Sequence, residues 1–463
     1  MSKLVLVISY VFPPAAYVGV HRTLKYCKYL GEVGWRPIVI TIDPRGVGVQ
    51  DERLNDELPP EVEVFRTRDI DPAKWRASRS RRKPREEPAA STQATEAPLP
   101  RSARTTGALS RAKQFVLRAL LQSPDSHIFW VPFAFFRGVR VLMTRRIDVI
   151  YSSSPPHSSH LAAWLLSKCF RVPHVADFRD PWFVEGSRRA VAASSGVFTG
   201  LQATLKRCVV ANAAKIVSVS AGERNDLLAE LPGLHPSRVE VITNGYDPDD
   251  FSDTPTPMPS DGRFTITHAG TLYPGVGREF FDAIEQLAST RHELSQRLRV
   301  NLLGTFAPEY QGVIDRLSRL GVVRDLGFQP HRTALGWTRN SDVLLILIGG
   351  SFFLPSHVPA KTFEYLSLGK PILAVAQPGD LTDILKESGL GVTVPPRDVP
   401  GLATAILNLY SGLRSGQLAL QPNWAYISRF ERRRLAHTLA GVLDQVAAGR
   451  QAKYAGQAAQ GAR

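Results

Sequence analysis

Two series of short β-branched runs, each run followed by a longer stretch with helical spacing, constrain this chain more than any other feature of its sequence. The first reads LVLVISY (4–10), RPIVITI (36–42), DVIYSSS (148–154), HVADF (174–178), KIVSVS (215–220) and VEVIT (239–243). The second reads FTITHAGTL (264–272), RVNLLG (299–304), VVRDLGF (322–328), VLLILI (343–348), PILAVA (371–376) and GVTVP (391–395). Alternation with helical patterns such as Leu24, Cys27 and Leu30 specifies parallel strands joined by crossover helices. Between the series lies DPDDFSDTPTPMPSDGR (247–263), whose Pro, Asp and Ser content marks an interdomain linker. The expected fold class is α/β, with two Rossmann-like doubly wound domains at residues 1–248 and 263–422 and a linker at 249–262. No internal sequence repeat argues for a solenoid. Ligands in such folds collect at the carboxyl ends of the strands, and two facing domains are expected to form a cleft.

One segment, from about residue 66 to 110, breaks this rhythm. It has almost no apolar residue, so an insertion at about 70–108 is expected to be disordered or loosely held. The formal net charge is +15, with an excess of eight positive charges in residues 66–114 and five in 429–463. The rest of the chain is nearly neutral. Two basic arms favour anionic partners, and the insertion reads either as a solvated flexible segment or as a contact with an anionic membrane. Nucleic acid is not an expected partner, because no recognised binding motif accompanies the charge. The stretches RAKQFVLRALL (111–121) and IFWVPFAFFRGVRVLMTRR (128–146) read either as core helices or as a basic amphipathic surface. No stretch approaches the roughly 18 apolar residues of a membrane span, and the start resembles a strand instead of a cleavable signal. A cytoplasmic protein is expected, with peripheral contact at the inner face of the cell membrane as an extension. Cys27, Cys169 and Cys208 have no paired spacing, so neither a disulfide framework nor a zinc site is expected.

Four polar motifs interrupt the first series. In FPPAAYVGVHRTLKY (12–26), Gly19 permits close backbone approach at a helix start, and His21, Arg22 and Lys25 add positive charge, although a plain turn would look the same. The dinucleotide pattern G-x-G-x-x-G is absent. In VIYSSSPPHSSH (149–160), His157 and His160 share a helix face; with no third ligand apparent, acceptor contact or helix capping is expected in preference to metal binding. HVADFRDPW (174–182) puts Asp177, Arg179 and Asp180 at the end of an apolar strand, either as an internal Arg–Asp network or as a polar wall facing substrate. VITNGYDPDDF (241–251) carries Asn244 and Gly245, a turn at the expected domain junction, and Asp247 and Asp249, read as turn acids in preference to a metal motif.

The most informative motif is SHVPAKTFEYLSLGKPILAVA (356–376). Pro359 suits a first helical turn, so a helix is expected from near Val358 through Leu368, ended by Gly369. Its N-terminal amides and Lys361 would meet a phosphate, and Glu364, one turn on, would accept from ribose hydroxyls. A surface Lys–Glu pair is the plainer alternative.

Taken in order, FPPAAYVGVHR, SSPPHSSH, ADFRDPW, VITNGYDPDDF, HAGTLYPG and VPAKTFEYLSLGKPIL resemble the group 1 (family 4) glycosyltransferases, particularly bacterial members of surface-polysaccharide and lipopolysaccharide assembly. The resemblance covers most of residues 3–410. It implies the GT-B fold, a nucleotide-sugar donor held mainly by the second domain, a glycan or lipid-linked acceptor held mainly by the first, and retention of configuration with no required metal or cofactor. It further implies a C-terminal helix, within 423–448, returning to the first domain ahead of a flexible tail at 449–463. Glu364 matches the second glutamate of the Glu-x7-Glu motif, and Gly270 the glycine of the donor loop. The first glutamate falls on Ser356, and the phosphate-clamping Arg and Lys fall near Thr271 and Val276, so Lys361 or Arg278 is expected to supply that charge. A histidine common at the end of the 174–178 strand is replaced by Arg179.

The residues expected at the donor are thus Gly19, Asn244, Gly245, Gly270, Thr271, Arg278, Lys361 and Glu364. His21, Arg22, His157 and His160 are expected on the acceptor side, and Asp177, Arg179, Asp180 and Lys361 in catalysis. A nucleotide-sugar epimerase of the same fold and a non-catalytic membrane-associated scaffold are the competing readings.

Overall fold

The computed structural model describes residues 2–46, 48–70, 123–182, 196–252, 261–349, 354–418 and 420–461. The basic insertion, the 111–121 stretch and most of the expected linker lie outside these residues. The chain divides into two compact units: Met1–Val219, Arg224–Ile242 and Leu435–Arg463 form the first, and Ser220–Glu223 with Thr243–Arg434 the second.

Unit 1 contains a parallel sheet of β1 (Lys3–Ser9), β2 (Trp35–Ile42), β3 (Glu63–Thr67), β4 (Val149–Ser154), β5 (His174–Phe178), β6 (Lys215–Ser218) and β7 (Val239–Val241), in the order 3-2-1-4-5-6-7. The order reverses at β1, whose neighbours are β2 and β4. Side chains alternate with the period of two expected of strands. Leu6, Ile8, Ile38, Ile40 and Ile150 enter one core with the helices Val131–Thr144 and Ser158–Phe170. Val5, Val7, Val39, Val149 and Val175 enter the other. That second core is covered by Tyr26 and Leu30 of the helix Val18–Leu30 and by Leu435, Leu439, Leu443 and Val446 of the C-terminal helix. The C-terminal helix spans Arg432–Gly461, so it starts later than residue 423 and continues through the stretch expected to be a flexible tail. Strand β3 was not foreseen. Glu63 and Arg66 disguise its alternation, as befits an edge strand beside a charged segment.

Unit 2 contains β8 (Phe264–Ala269), β9 (Leu298–Leu303), β10 (Val323–Asp325), β11 (Val343–Leu347), β12 (Ile372–Val375) and β13 (Gly391–Val394), all parallel, in the order 10-9-8-11-12-13. Leu345, Leu347, Leu373 and Val375 pack on one face with Phe280, Phe281 and Leu402. Leu344, Ile346, Ile372 and Ala374 pack on the other with Phe363, Tyr365 and Leu366. Here too the order reverses, at β8 between β9 and β11, and the loops after these strands hold the second group of expected site residues.

Candidate functional site

At the carboxyl end of β5, the charged cluster resolves into two parts with different roles. Arg22 reaches Asp177 with two hydrogen bonds, Nε to Oδ2 at 2.7 Å and Nη2 to Oδ1 at 2.9 Å, and Nη2 also donates to the Ile242 carbonyl at 2.8 Å. The Tyr151 hydroxyl donates to the same carboxylate. The pair is sealed, with side chains 1% and 0% exposed. Burial alone would lower the Arg22 pKa, but the neighbouring carboxylate overrides it and holds the guanidinium charged. Asp177 is therefore corrected from catalytic to structural, and Arg22 from acceptor-side to structural. Lys25 is likewise occupied, on Glu57 at 2.6 Å.

Arg179 and Asp180 remain partly exposed and meet each other at 3.4 Å. A Cβ built on Gly19 would fall 1.7 Å from Nη1 of Arg179. The close approach foreseen at Gly19 is thus made by this guanidinium, which unites the first and third motifs at one helix start. His21 follows, half-buried.

The histidines of the second motif are core residues, which corrects their acceptor-side assignment. His160 and His174 are fully buried and share the Ser152 hydroxyl, at 2.7 Å to Nδ1 of His160 and 2.6 Å to Nε2 of His174. His157 stacks on Trp182 with ring centroids 4.5 Å apart. Burial lowers all three pKa values, to about 4 for His157, to about 3 for His174, and well below the usual range for His160. These rings stay neutral in the fold, whereas in the unfolded chain they protonate near pH 6.5. Below that pH the unfolded state binds more protons, so the contribution of these three rings to stability should be constant above about pH 6.5 and fall as pH drops, by up to about 1.4 kcal/mol per unit per histidine. Urea midpoints between pH 7.5 and 5 measure this, and a flat profile would contradict it.

In unit 2 the helix of the fifth motif spans Lys361–Ser367, later and shorter than expected. The amides of Thr362 and Phe363 already donate to the carbonyls of Pro359 and Ala360. The first turn therefore has fewer open donors than the sequence suggests, and Lys361 is the main source of positive charge there. Its Nζ lies 3.4 Å from both ring nitrogens of His268, and a Cβ built on Gly270 would lie 3.1 Å from it. Burial lowers the Lys361 pKa to about 7, against the opposing pull of Glu364. Glu364 Oε1 accepts from His331 Nε2 at 3.0 Å. The Tyr365 hydroxyl accepts from the Ala269 amide at 3.0 Å, tying this helix to the end of β8.

Gly270 (φ 139°) and Gly304 (φ 129°) let the loops after β8 and β9 touch, since a Cβ on Gly304 would fall 2.1 Å from the Gly270 carbonyl oxygen. Thr271 Oγ1 meets Thr305 Oγ1 at 3.3 Å. Val276 is buried in the core, and its amide donates to the Tyr310 hydroxyl at 2.9 Å, so no charge could stand there without opening that core. Ser356 is buried under the 220–223 turn; a Cβ on Gly222 would fall 2.7 Å from its Cβ, and its carbonyl accepts from Ser220 Oγ at 2.8 Å. A small residue fits this spot. Arg278, expected at the donor, is exposed and bound to Asp282 at 2.8 Å, four residues along its own helix. Asn244 and Gly245 are buried just before Tyr246, whose amide donates to the Phe430 carbonyl at 3.0 Å. Asp247 caps the turn Pro248–Phe251 by accepting from the Asp249 amide at 3.2 Å. His268, Tyr365 and His331 are the contributors that sequence reasoning missed. The only available signal was a histidine set inside the apolar run of β8.

Residues 20–245 match the family described as glycosyl transferase 4-like domain. That stretch is similar to a glycosyl transferase 4-like domain. The matched stretch takes in β2 to β7, Arg22, Asp177 and Arg179. A stretch of 92 residues is 35% identical to α-maltose-1-phosphate synthase of Mycolicibacterium smegmatis, covering 19% of this chain and 22% of that protein. The chain thus matches about a fifth of the length of that curated relative. Among solved structures, Anabaena Alr3699/HepE in complex with UDP and glucose is similar with a TM-score of 0.57 at 15% identity, over 96% of this chain and 100% of that one. Sucrose-phosphate synthase of Thermosynechococcus elongatus gives 0.60 at 15% over the same shares. WaaG, a glycosyltransferase involved in lipopolysaccharide biosynthesis, gives 0.53 at 12% over 95% and 99%. The fold is that of the GT-B glycosyltransferases.

Proposed function

We propose that this chain is a retaining glycosyltransferase, moving a sugar from a nucleotide-sugar donor to a glycan or lipid-linked acceptor in the assembly of a cell-surface polysaccharide or glycolipid. The observation that carries this reading is Lys361, a partly buried ammonium beside Gly270 and one turn from Glu364, at the end of β8 where the strand order reverses. The similarity to a glycosyl transferase 4-like domain supports the reaction class, and the UDP and glucose in the HepE complex support the donor class. Lys361 stabilises charge developing on the leaving diphosphate, and Glu364 holds the ribose. The acceptor attacks from the side the leaving group departs, giving it its proton, so no enzyme carboxylate serves as nucleophile. Arg179 and Asp180 orient the acceptor, and the reading requires no metal or cofactor. The test is incubation with nucleotide sugars, with and without candidate acceptors. Acceptor-dependent release of nucleoside diphosphate supports transfer, whereas acceptor-independent formation of an altered sugar would favour an epimerase.

Peripheral contact with an anionic membrane belongs to the same reading, favoured by the helix Val131–Thr144. Its core face carries Val131, Ala134, Gly138 and Val141, while Phe136 and Met143 on another face are 69% and 75% exposed, with Arg140 between them. This part of the 128–146 stretch is thus both a core helix and an apolar, basic surface. Among the described residues no helix is long and apolar enough to cross a membrane. Flotation with phosphatidylglycerol vesicles should fall at least threefold in the Phe136→Ser, Met143→Ser double variant. Unchanged flotation would remove this face from the account.

A further inference from the structure

We propose that His268 is a positioning residue, which holds the Lys361 ammonium beside Gly270 and keeps it protonated for the diphosphate. The inference rests on the donor-site reading and adds to it a residue that touches no substrate.

His268 is fully buried at the carboxyl end of β8, and its Nδ1 lies 3.1 Å from the Leu345 carbonyl oxygen. A carbonyl only accepts, so Nδ1 carries the proton and a neutral ring presents Nε2 as an acceptor. Lys361 Nζ, at 3.4 Å from both nitrogens, stands against the ring between them instead of on a single lone pair. A neutral imidazole is electron-rich toward such a cation, and a charged one would repel it. Burial and the Lys361 charge both push the His268 pKa well below its usual value, so the ring stays neutral.

Glu364, on the same helix as Lys361, favours the charged lysine and is itself held by His331. Tyr365, also on that helix, has its hydroxyl on the Ala269 amide. With burial working against the charge, a small contribution from the ring decides how much of Lys361 is protonated near neutral pH, since one pKa unit is a tenfold change in that ratio. Gly270 completes the arrangement, because any side chain there would press on the ammonium.

Two substitutions separate the contacts. The amide nitrogen of Asn can replace Nδ1 at Leu345 but leaves nothing at the position of Nε2. Gln reaches that position and restores an acceptor for Lys361. Binding of whichever of UDP, GDP and ADP the wild-type protein holds most tightly would be measured from pH 6 to 8.5, with thermal melting to verify folding. His268→Asn should bind about tenfold more weakly at pH 7.5 and come within about twofold of the wild type at pH 6, where at least about half of Lys361 is protonated in both; His268→Gln should stay within about threefold throughout. A pH-independent loss in His268→Asn, or wild-type binding at every pH, would overturn the proposal. The pH dependence of Lys361 acetylation, followed by mass spectrometry, gives a ligand-free readout. Its midpoint should fall by about one unit in His268→Asn, and an unmoved midpoint would overturn the inference. If no nucleotide binds the wild type, the donor-site reading fails, while the acetylation midpoint still judges His268.

Discussion

Asp177→Ala should lower folding stability by about 3–5 kcal/mol, the scale for leaving one member of a buried ion pair without its partner. The lost carboxylate accepts two hydrogen bonds from Arg22 and one from Tyr151. The guanidinium left behind is sealed from water and retains only the Ile242 carbonyl among these contacts. Because this network ties the helix Val18–Leu30 to β4, β5 and the segment after β7, the loss should appear as a lower urea midpoint. An Arg22→Met, Asp177→Leu double variant removes both charges and should recover part of the loss, since apolar replacements of a buried pair are often close to neutral. A single variant within about 1 kcal/mol of wild type would show that the pair contributes little.

Lys361→Ala should weaken nucleoside diphosphate binding and slow transfer by at least about tenfold, the effect of one lost charge-assisted contact. The pH dependence gives this prediction its signature. Burial brings the lysine to a pKa of about 7, so the side chain is charged below that pH and progressively neutral above it. Wild-type affinity should therefore exceed that of the variant most at pH 6 and lose much of the advantage by pH 8.5. An ordinary exposed lysine, charged up to about pH 10.4, would show no such decline. A binding ratio constant across this range would contradict the assignment of the charge to Lys361.

Much of the fold was legible because it rests on periodicity. The runs at 174–178, 264–272 and 343–348 lie on β5, β8 and β11, where β-branched and aliphatic residues meet two cores. Strand β3 escaped because an edge strand beside a charged segment need not alternate cleanly. The candidate site was legible only as a set of residue types. Arg22 and Asp177 are 155 positions apart, and no spacing indicates that they neutralise each other instead of facing a ligand. His160 was expected to contact an acceptor or cap a helix, yet its ring is buried and shares the Ser152 hydroxyl with His174 on neighbouring strands. Lys361 and Glu364 could be paired with a phosphate and a ribose from the motif alone. Their supports, His268 and His331, come from other elements, and only the tertiary fold brings them into contact. Ser356 and Val276 were visible as departures from the family pattern, and the turn at 220–223 and the Tyr310 hydroxyl supply the physical reasons.

The central claim is a nucleoside diphosphate site built on Lys361 and Glu364, and thermal melting of the wild type, Lys361→Ala and Glu364→Ala with UDP, GDP, ADP and CMP tests it most directly. A ligand at 100 times its dissociation constant adds about 2.7 kcal/mol of stability. The account predicts a clear rise in the wild-type melting temperature with one nucleoside diphosphate, and a much smaller rise in both variants. No rise with any nucleotide, or equal rises in all three proteins, would contradict it.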